Sequence, residues 1–187
     1  MRDAAGKLTR RRGPAAFWTV VAVVLSAATV RADDIRILPL VRDGAVFISF
    51  RLEGGYTDQT RDAIASGLRT TFTYTVELKE EVPVWLDRTI ASAVVTSSVQ
   101  YDNLTRRHHL LRTIDGRVEE AKVTEDEAVV REWLTALERV PLFRTSILEP
   151  NREYYVRIRA RARPHNAFFL WPWASGPSGQ VKFTFIP

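Results

Sequence analysis

Alternating apolar and polar positions run through most of the chain and predict strands. Residues 71–79 alternate strictly, and residues 154–163 do the same. This period of two places one set of side chains on each face of a strand, so both segments are predicted to bury one face. Apolar, β-branched runs predict further strands at residues 35–41, 45–52, 90–101, 105–113 and 181–186.

Turn and capping residues separate these strands and predict two helices. An Asp-Gly pair at residues 43–44 lies between two apolar runs, which is typical of a tight hairpin. Thr57 precedes a short apolar stripe that Gly67 ends, so a first helix is predicted there. The second helix is predicted to begin at a capping box, residues 124–127, and to continue at helical spacing until Pro141.

Seven or eight strands with two helices predict a mainly β fold. We expect an antiparallel sandwich or open barrel, with the helices packed on one side or end. An α+β fold, with both helices on one face of an antiparallel sheet, is the alternative. No internal repeat or low-complexity tract divides the segment after residue 32, and its length is typical of one domain.

The first 32 residues differ in composition from the rest of the chain. A cationic segment, residues 7–12, precedes an apolar run at residues 15–30 and the small-x-small sequence at residues 30–32. This order is typical of a secretory signal, and about sixteen apolar residues is short for a membrane-spanning helix. We predict a signal peptide at residues 1–32, one β-rich domain at residues 33–187, and export across the inner membrane to the periplasm or cell envelope. A retained N-terminal membrane anchor is the alternative.

The charge distribution changes once this first segment is set apart. The whole chain has 27 Lys and Arg against 22 Asp and Glu, but residues 1–32 hold six of these cations and one of these anions. The predicted domain therefore carries equal numbers of positive and negative side chains, and we predict no nucleic-acid binding. The chain has no cysteine, which excludes disulfides, a lipid-modified cysteine and thiol catalysis.

Adjacent histidines raise the question of a metal site. Side chains of neighbouring strand residues point to opposite faces, so His108 and His109 cannot both bind one ion. The third histidine, His165, is distant in sequence. We predict no metal and no cofactor, and expect polar strand residues beside a tight corner at Asp102 and Asn103. A site assembled in three dimensions from His109, Asp102 and another carboxylate is the alternative.

Known enzyme motifs give little support for catalysis. The sequence has no Gly-rich phosphate loop, nucleophile elbow or paired-histidine helix. The acidic pair Glu119-Glu120 is interpreted as a solvated turn. We predict no catalytic residue and no enzymatic activity. A hydrolase that acts on an envelope polymer is the alternative, because a catalytic carboxylate pair has no local signature.

Two segments near the C-terminus are candidate binding surfaces. The first is an arginine row on one face of a predicted strand: Arg157, Arg159, Arg161 and Arg163. At a spacing of about 7 Å these side chains suit bidentate binding of phosphates or carboxylates, although a solvated face with cross-strand ion pairs is the plainer alternative. The second is an aromatic group that suits a docking site or interfacial anchor, or else plugs the open end of a sandwich: Phe168, Phe169, Trp171 and Trp173.

Residues 47–78, 85–88 and 99–113 resemble an uncharacterised family of exported bacterial envelope proteins, a domain of unknown function. The similarity covers about residues 36–185, and its most specific element is a Tyr-Asp-x-Leu-Thr motif: Tyr101, Asp102, Leu104 and Thr105. The resemblance implies export, a common fold and an accessory role in envelope sensing, and it supplies no catalytic residues. The motif is expected to be structural. The family often has an aromatic residue at position 109, which implies a packing role for His109.

We therefore predict a non-enzymatic envelope protein that binds a protein partner or an anionic membrane surface through the arginine row and the aromatic group. The hydrolase and a purely structural module are the alternatives. A cleft lined by converging carboxylates and a histidine would favour the hydrolase. A closed, filled core with a flat patch of arginine and aromatic residues would favour the binding protein.

Overall fold

The computed structural model describes residues 34–82, 87–164 and 176–186. Within these ranges the chain forms nine strands and two α-helices, with one 3₁₀ turn at Thr145–Ile147. In chain order the strands and α-helices are β1 Ile35–Arg42, β2 Ala45–Leu52, α1 Asp58–Ala65, β3 Thr70–Glu80, β4 Arg88–Asp102, β5 Arg107–Ile114, β6 Arg117–Thr124, α2 Glu127–Thr135, β7 Ala136–Arg144, β8 Glu153–Pro164 and β9 Ser178–Thr184.

The strands form two antiparallel sheets. A three-stranded sheet has the order β1-β2-β7, and a six-stranded sheet has the order β6-β5-β4-β3-β8-β9. The mainly β fold with two helices is confirmed. Long antiparallel ladders of this kind form where each strand offers one apolar face to a shared core.

Alternation decides which face of each strand enters that core. In β2 and β3 the even-numbered side chains are buried, whereas the odd-numbered ones are more exposed. The two inner faces meet, because the ring of Phe50 in β2 lies 4.5 Å from the ring of Tyr74 in β3, measured between centroids. Both sheets therefore contribute to one hydrophobic cluster, as in a sandwich.

The two sheets also approach each other where β9 passes β1. A Cβ atom added at Gly179 in β9 would lie 2.3 Å from the carbonyl oxygen of Ile35 in β1. No real Cβ atom tolerates that distance, so the position requires glycine. The reason is the close approach of two backbones, not an unusual backbone dihedral.

The predicted hairpin and first helix are confirmed. Asp43 and Gly44 have φ angles of 50° and 75° in the tight turn between β1 and β2. At the start of α1, the Thr57 hydroxyl accepts a hydrogen bond of 3.2 Å from the Thr60 N–H. Gly67 follows the end of α1 with a φ of 82°, a conformation that glycine adopts without strain.

The second helix differs from the prediction at both ends. Its N-cap is Asp126, whose carboxylate accepts a 2.8 Å hydrogen bond from the Ala128 N–H. Its last residue is Thr135, and Ala136–Arg144 forms β7 instead of continuing the helix to Pro141. The prediction was wrong because pairing with β2 holds this segment extended, and an edge strand tolerates proline.

The predicted solvated turn at Glu119-Glu120 is also wrong. Both residues lie in β6, which pairs with β5 beyond a turn at Asp115 and Gly116. Every residue of β6 before Thr124 is exposed, so the strand lacks the alternation from which strands are predicted.

The predicted signal peptide lies outside the described residues, and export stays a prediction. The described helices have 8 and 9 residues. In this part of the chain, no helix has the length and apolar character needed to cross a membrane.

Candidate anion-binding face

The outer face of the six-stranded sheet, the side turned away from the core, carries the arginine row. In β8 the residues Tyr154, Val156 and Ile158 are buried, so the odd-numbered positions point outwards. Arg157 is half-buried there, and Arg159 and Arg161 are exposed. The fourth member, Arg163, pairs with Thr71 across β3 and β8, and its side chain lies outside the described part of the structure.

Two of these arginines are held by neutral groups or by a shared carboxylate. Arg157 donates from Nη2 to Oε1 of Gln180 at 3.4 Å, and its guanidinium carbon lies 5.6 Å from the centroid of the Tyr155 ring. Arg159 donates from Nη2 to Oε2 of Glu77 at 3.3 Å. The same Glu77 oxygen lies 3.8 Å from Nζ of Lys79. The Glu77 carboxylate is therefore shared between two cations, Arg159 and Lys79.

Arg161 has a different environment. Its partner across the ladder is Thr73, whose neighbour on the other side is Thr96 in β4. Within the described residues Arg161 forms no ion pair. The ladder neighbours of Arg161 are thus uncharged hydroxyl residues, which do not neutralise a guanidinium group.

A further cation lies on the same face, at the end nearest α1. Arg69, the residue before β3, donates from Nη2 to Oε1 of Gln100 in β4 at 3.0 Å. Gln100 in turn pairs with His109 in β5, which pairs with Val123 in β6. A shallow depression of about 380 Å³ opens over this row, and Ser98 also lines it. Of the nine residues that line it, none is a carboxylate.

Sequence reasoning missed Arg69 and Gln100. Arg69 has the same parity as the outward-facing Thr71 and Thr73, so extending the alternation by one residue would have placed it on this face. Gln100 had no comparable signal, because its position beside Arg69 depends on the register between β3 and β4.

The opposite end of the face is electrically balanced. The Tyr155 hydroxyl donates to Asp87, and burial together with this carboxylate raises the pKa of Tyr155 to about 12. Lys182 in β9 donates to Glu81, and this hydrogen bond raises the pKa of Lys182. Positive charge is therefore concentrated between Lys79 and Arg69.

The Tyr-Asp-x-Leu-Thr segment forms the tight corner between β4 and β5. The Asp102 carboxylate accepts hydrogen bonds from the Leu104 N–H at 2.8 Å, the Thr105 hydroxyl at 2.9 Å and the Thr105 N–H at 3.4 Å. These hydrogen bonds, that from Leu104 foremost, lower the pKa of Asp102. The corner presents Leu104 with 95% of its surface exposed. Leu104 borders a second depression of about 540 Å³, which shares Gln100 and His109 with the first.

The two histidines point to opposite sides of β5. His108 is half-buried, with its ring centroid 4.7 Å from that of Tyr101. His109 is exposed on the outer face. Among the described residues no three carboxylate or histidine side chains are grouped closely enough to hold a metal ion. His109 and Asp102 both line the second depression, where Asp102 is the one carboxylate.

The predicted aromatic group lies outside the described residues: Phe168, Phe169, Trp171 and Trp173. Its role as a docking site, anchor or plug stays a prediction.

Comparison with known proteins identifies the family. The family model described as Domain of unknown function (DUF4390) matches residues 27–166, which is most of the chain. The chain belongs to this family. No curated protein and no solved structure matches the chain. The expected relationship to an uncharacterised family is thereby confirmed.

The DUF4390 match extends across β1 to β8. It therefore contains the arginine row, the Arg69–Gln100–His109 row and the corner at Asp102, whereas β9 follows it. DUF4390 has no assigned activity. The significance of the Tyr-Asp-x-Leu-Thr motif within the family stays a prediction.

Proposed function

We propose that this protein is a non-enzymatic binding module of the cell envelope that recognises an acidic surface on a partner protein through the outer face of its six-stranded sheet. One observation carries the proposal. Between Lys79 and Arg69, the outward positions of β3 and β8 together with Arg69 itself hold the cations Arg69, Lys79, Arg157, Arg159 and Arg161 against one carboxylate, Glu77.

Neutral groups orient these cations without cancelling their charge. The amide oxygens of Gln100 and Gln180 hold Arg69 and Arg157. An amide fixes the direction of a guanidinium group while its positive charge remains available, and its other N–H groups are free for a bidentate carboxylate. A side chain that is already oriented also loses less conformational entropy when it binds a ligand.

The chemistry of the face favours a protein over a membrane surface. A peripheral membrane contact requires apolar side chains that enter the bilayer. The outward positions of β3 beside Arg159 and Arg161 are threonines, and the exposed apolar residues of this face, Val94, Val118 and Val123, lie on β4 and β6. A hydroxyl-lined sheet face with cations at about 7 Å intervals matches carboxylates on a structured partner.

Export to the envelope belongs to the proposal and rests on the signal-like pattern of residues 1–32. The two shallow depressions have one carboxylate between them, Asp102, so their linings give no pair of carboxylates for the hydrolase alternative.

The test is site-specific photocrosslinking in intact cells. A photoreactive residue replaces Thr75, which pairs with Arg159 on the outer face. A control replaces Leu38 on the three-stranded sheet, which is 72% exposed. We expect a crosslinked partner from position 75 but not from position 38. The partner, identified by mass spectrometry and purified, should bind with an affinity that falls as salt increases.

The charge dependence is tested with two matched triple variants. Replacing Arg157, Arg159 and Arg161 with Gln should abolish the crosslink and weaken binding of the purified partner by at least about tenfold. Replacing three exposed arginines of the three-stranded sheet with Gln should leave both unchanged: Arg36, Arg42 and Arg144. Equal loss in both variants, or no loss in either, refutes the proposal. Arginine-dependent binding to phosphatidylglycerol vesicles, without a crosslinked protein, would assign the face to a membrane instead.

A further inference from the structure

The β6 strand forms a free edge of the six-stranded sheet. It is the last strand in the order β6-β5-β4-β3-β8-β9, and among the described residues no strand pairs with the edge of β6 that faces away from β5. Val118 and Val123 are 65% and 49% exposed. An edge strand of this kind offers unpaired N–H and C=O groups to another strand.

Charge normally protects such an edge, and the charges of β6 select a particular partner. We propose that β6 pairs antiparallel with β6 of a second copy of this chain, about a twofold axis through Ala121. In that register Ala121 faces its own copy, and Glu120 faces Lys122 of the second copy on both sides of the axis. Two ion pairs of opposite charge thus flank a pair of small side chains.

The pairing places these side chains on consistent faces of the joined sheet. Glu120 and Lys122 lie opposite the buried Arg112 and Leu110 of β5, so both are on the core side of β6. Ala121 lies opposite Leu111, on the outer side. Opposed residues in an antiparallel pair point to the same face, which the proposed register satisfies.

Neighbouring registers are disfavoured by like charges. A twofold axis through Glu120 would place Glu120 opposite its own copy, and an axis through Lys122 would place two lysines opposite each other.

The paired segment is short, because Glu119 is the extra residue of a β-bulge. Arg112 pairs with Glu120, and the next residue, Thr113, pairs with Val118. The bulge ends the regular pairing, so about five residues a side form a weak, concentration-dependent contact.

Cysteine crosslinking tests the register directly, because the chain contains no cysteine. With Ala121→Cys, the two thiols would lie on residues whose Cα atoms are about 4.5–5.5 Å apart, within the range that a disulfide spans. The protein carrying this change should form a disulfide-linked dimer on mild oxidation of intact cells, at twice the monomer mass that the same sample shows after reduction.

Val123→Cys is the matched control. It is exposed on the same strand, but in the proposed pair the two Val123 residues are four positions apart along the strands, about 14 Å. We expect no disulfide from this variant. Equal crosslinking of both variants would indicate random collision and refute the register. An Ala121→Cys protein that reacts with maleimide yet forms no disulfide dimer would refute the proposal as a whole.

Charge reversal supplies an independent test. Lys122→Glu in the Ala121→Cys background should abolish the crosslink, because Glu120 would then face a second carboxylate across each charged pair and repel it. Glu120→Lys in the same background should also abolish it, because two lysines would then face each other. The thermal melt of the Glu120→Lys protein is also recorded, because this change removes the ion pair in which Glu120 lies 3.7 Å from Arg112. Co-expression of the two variants should restore a mixed dimer, in which every charged pair is again of opposite sign. Failure of the mixed pair to crosslink, with both variants folded, contradicts the proposal.

Discussion

Arg112 of β5 stacks on Trp133 of α2 and also caps the C-terminal end of α2. Its guanidinium carbon lies 4.1 Å from the centroid of the indole ring, and Nη2 donates to the Trp133 carbonyl oxygen at 3.0 Å and to the Ala136 carbonyl oxygen at 3.2 Å. Nε donates to the Ser97 hydroxyl at 3.3 Å. The side chain is 8% exposed, and burial lowers its pKa. This one cation therefore joins α2 to the six-stranded sheet.

Arg112→Met should lower the free energy of unfolding by about 2–4 kcal/mol, because two buried carbonyl groups of the α2 end lose their donor. Arg112→Lys should be destabilising as well, since an ammonium group cannot reach the same acceptors in a planar fork. Urea unfolding followed by tryptophan fluorescence measures both. Arg36→Met, at an exposed arginine, is the control and should change stability by no more than about 0.5 kcal/mol. If Arg112→Met also changed stability by no more than about 0.5 kcal/mol, the Trp133 and Ala136 carbonyl groups would have found other donors.

Gly179→Ala should destabilise the protein by about 1–3 kcal/mol, because the new methyl group would collide with the Ile35 carbonyl oxygen and force β1 and β9 apart. Ser178→Ala, at the exposed neighbour, is the matched control and should be nearly neutral. Thermal unfolding monitored by circular dichroism distinguishes them. Equal melting temperatures for the two variants would mean that β1 and β9 can move apart without loss of stability.

Asp102 should make stability depend on pH below about pH 4. Its folded-state pKa is lowered, so its contribution is fully present above the ordinary aspartate value of about 3.9 and is lost as pH falls through the folded-state pKa. Asp102→Asn removes the charge and keeps an oxygen that accepts from Leu104. The variant should melt below the unaltered protein at pH 7, and the difference should shrink between about pH 4 and pH 2. If the difference in melting temperature stays constant across this pH range, the Asp102 carboxylate does not stabilise the folded state through its lowered pKa.

Leu104→Ser should leave stability unchanged within about 0.5 kcal/mol, because a side chain that is 95% exposed contributes little to the core. If the corner at Asp102 contacts the proposed acidic partner, the same change should reduce the crosslink from position 75. Urea unfolding and crosslink yield are measured on one preparation. A large stability loss would instead assign Leu104 a packing role that its exposure does not suggest.

Local pattern was enough to place the strands that bury one face. β3 and β8 alternate strictly in sequence, and in both strands the apolar positions are the buried ones up to Ala160. The Asp43-Gly44 turn and the Thr57 cap were equally local, because each depends on residues within a few positions of one another.

Elements that depend on distant neighbours were the ones missed. Leu134 and Leu137 recur at helical spacing, yet Leu137 lies in β7 because it pairs with Phe50 of β2. β6 is exposed on both faces and has no alternation, although the Asp115-Gly116 turn was a usable hairpin signal for it.

The sequence by itself determined which side chains of the arginine row share a face, because alternation along an extended chain follows from backbone geometry alone. Tertiary structure decided which strands lie beside one another. It placed Gln100 next to Arg69, Gln180 next to Arg157, and Glu77 between Arg159 and Lys79. Register between strands far apart in sequence is set by core packing and loop closure, which no local window of residues contains.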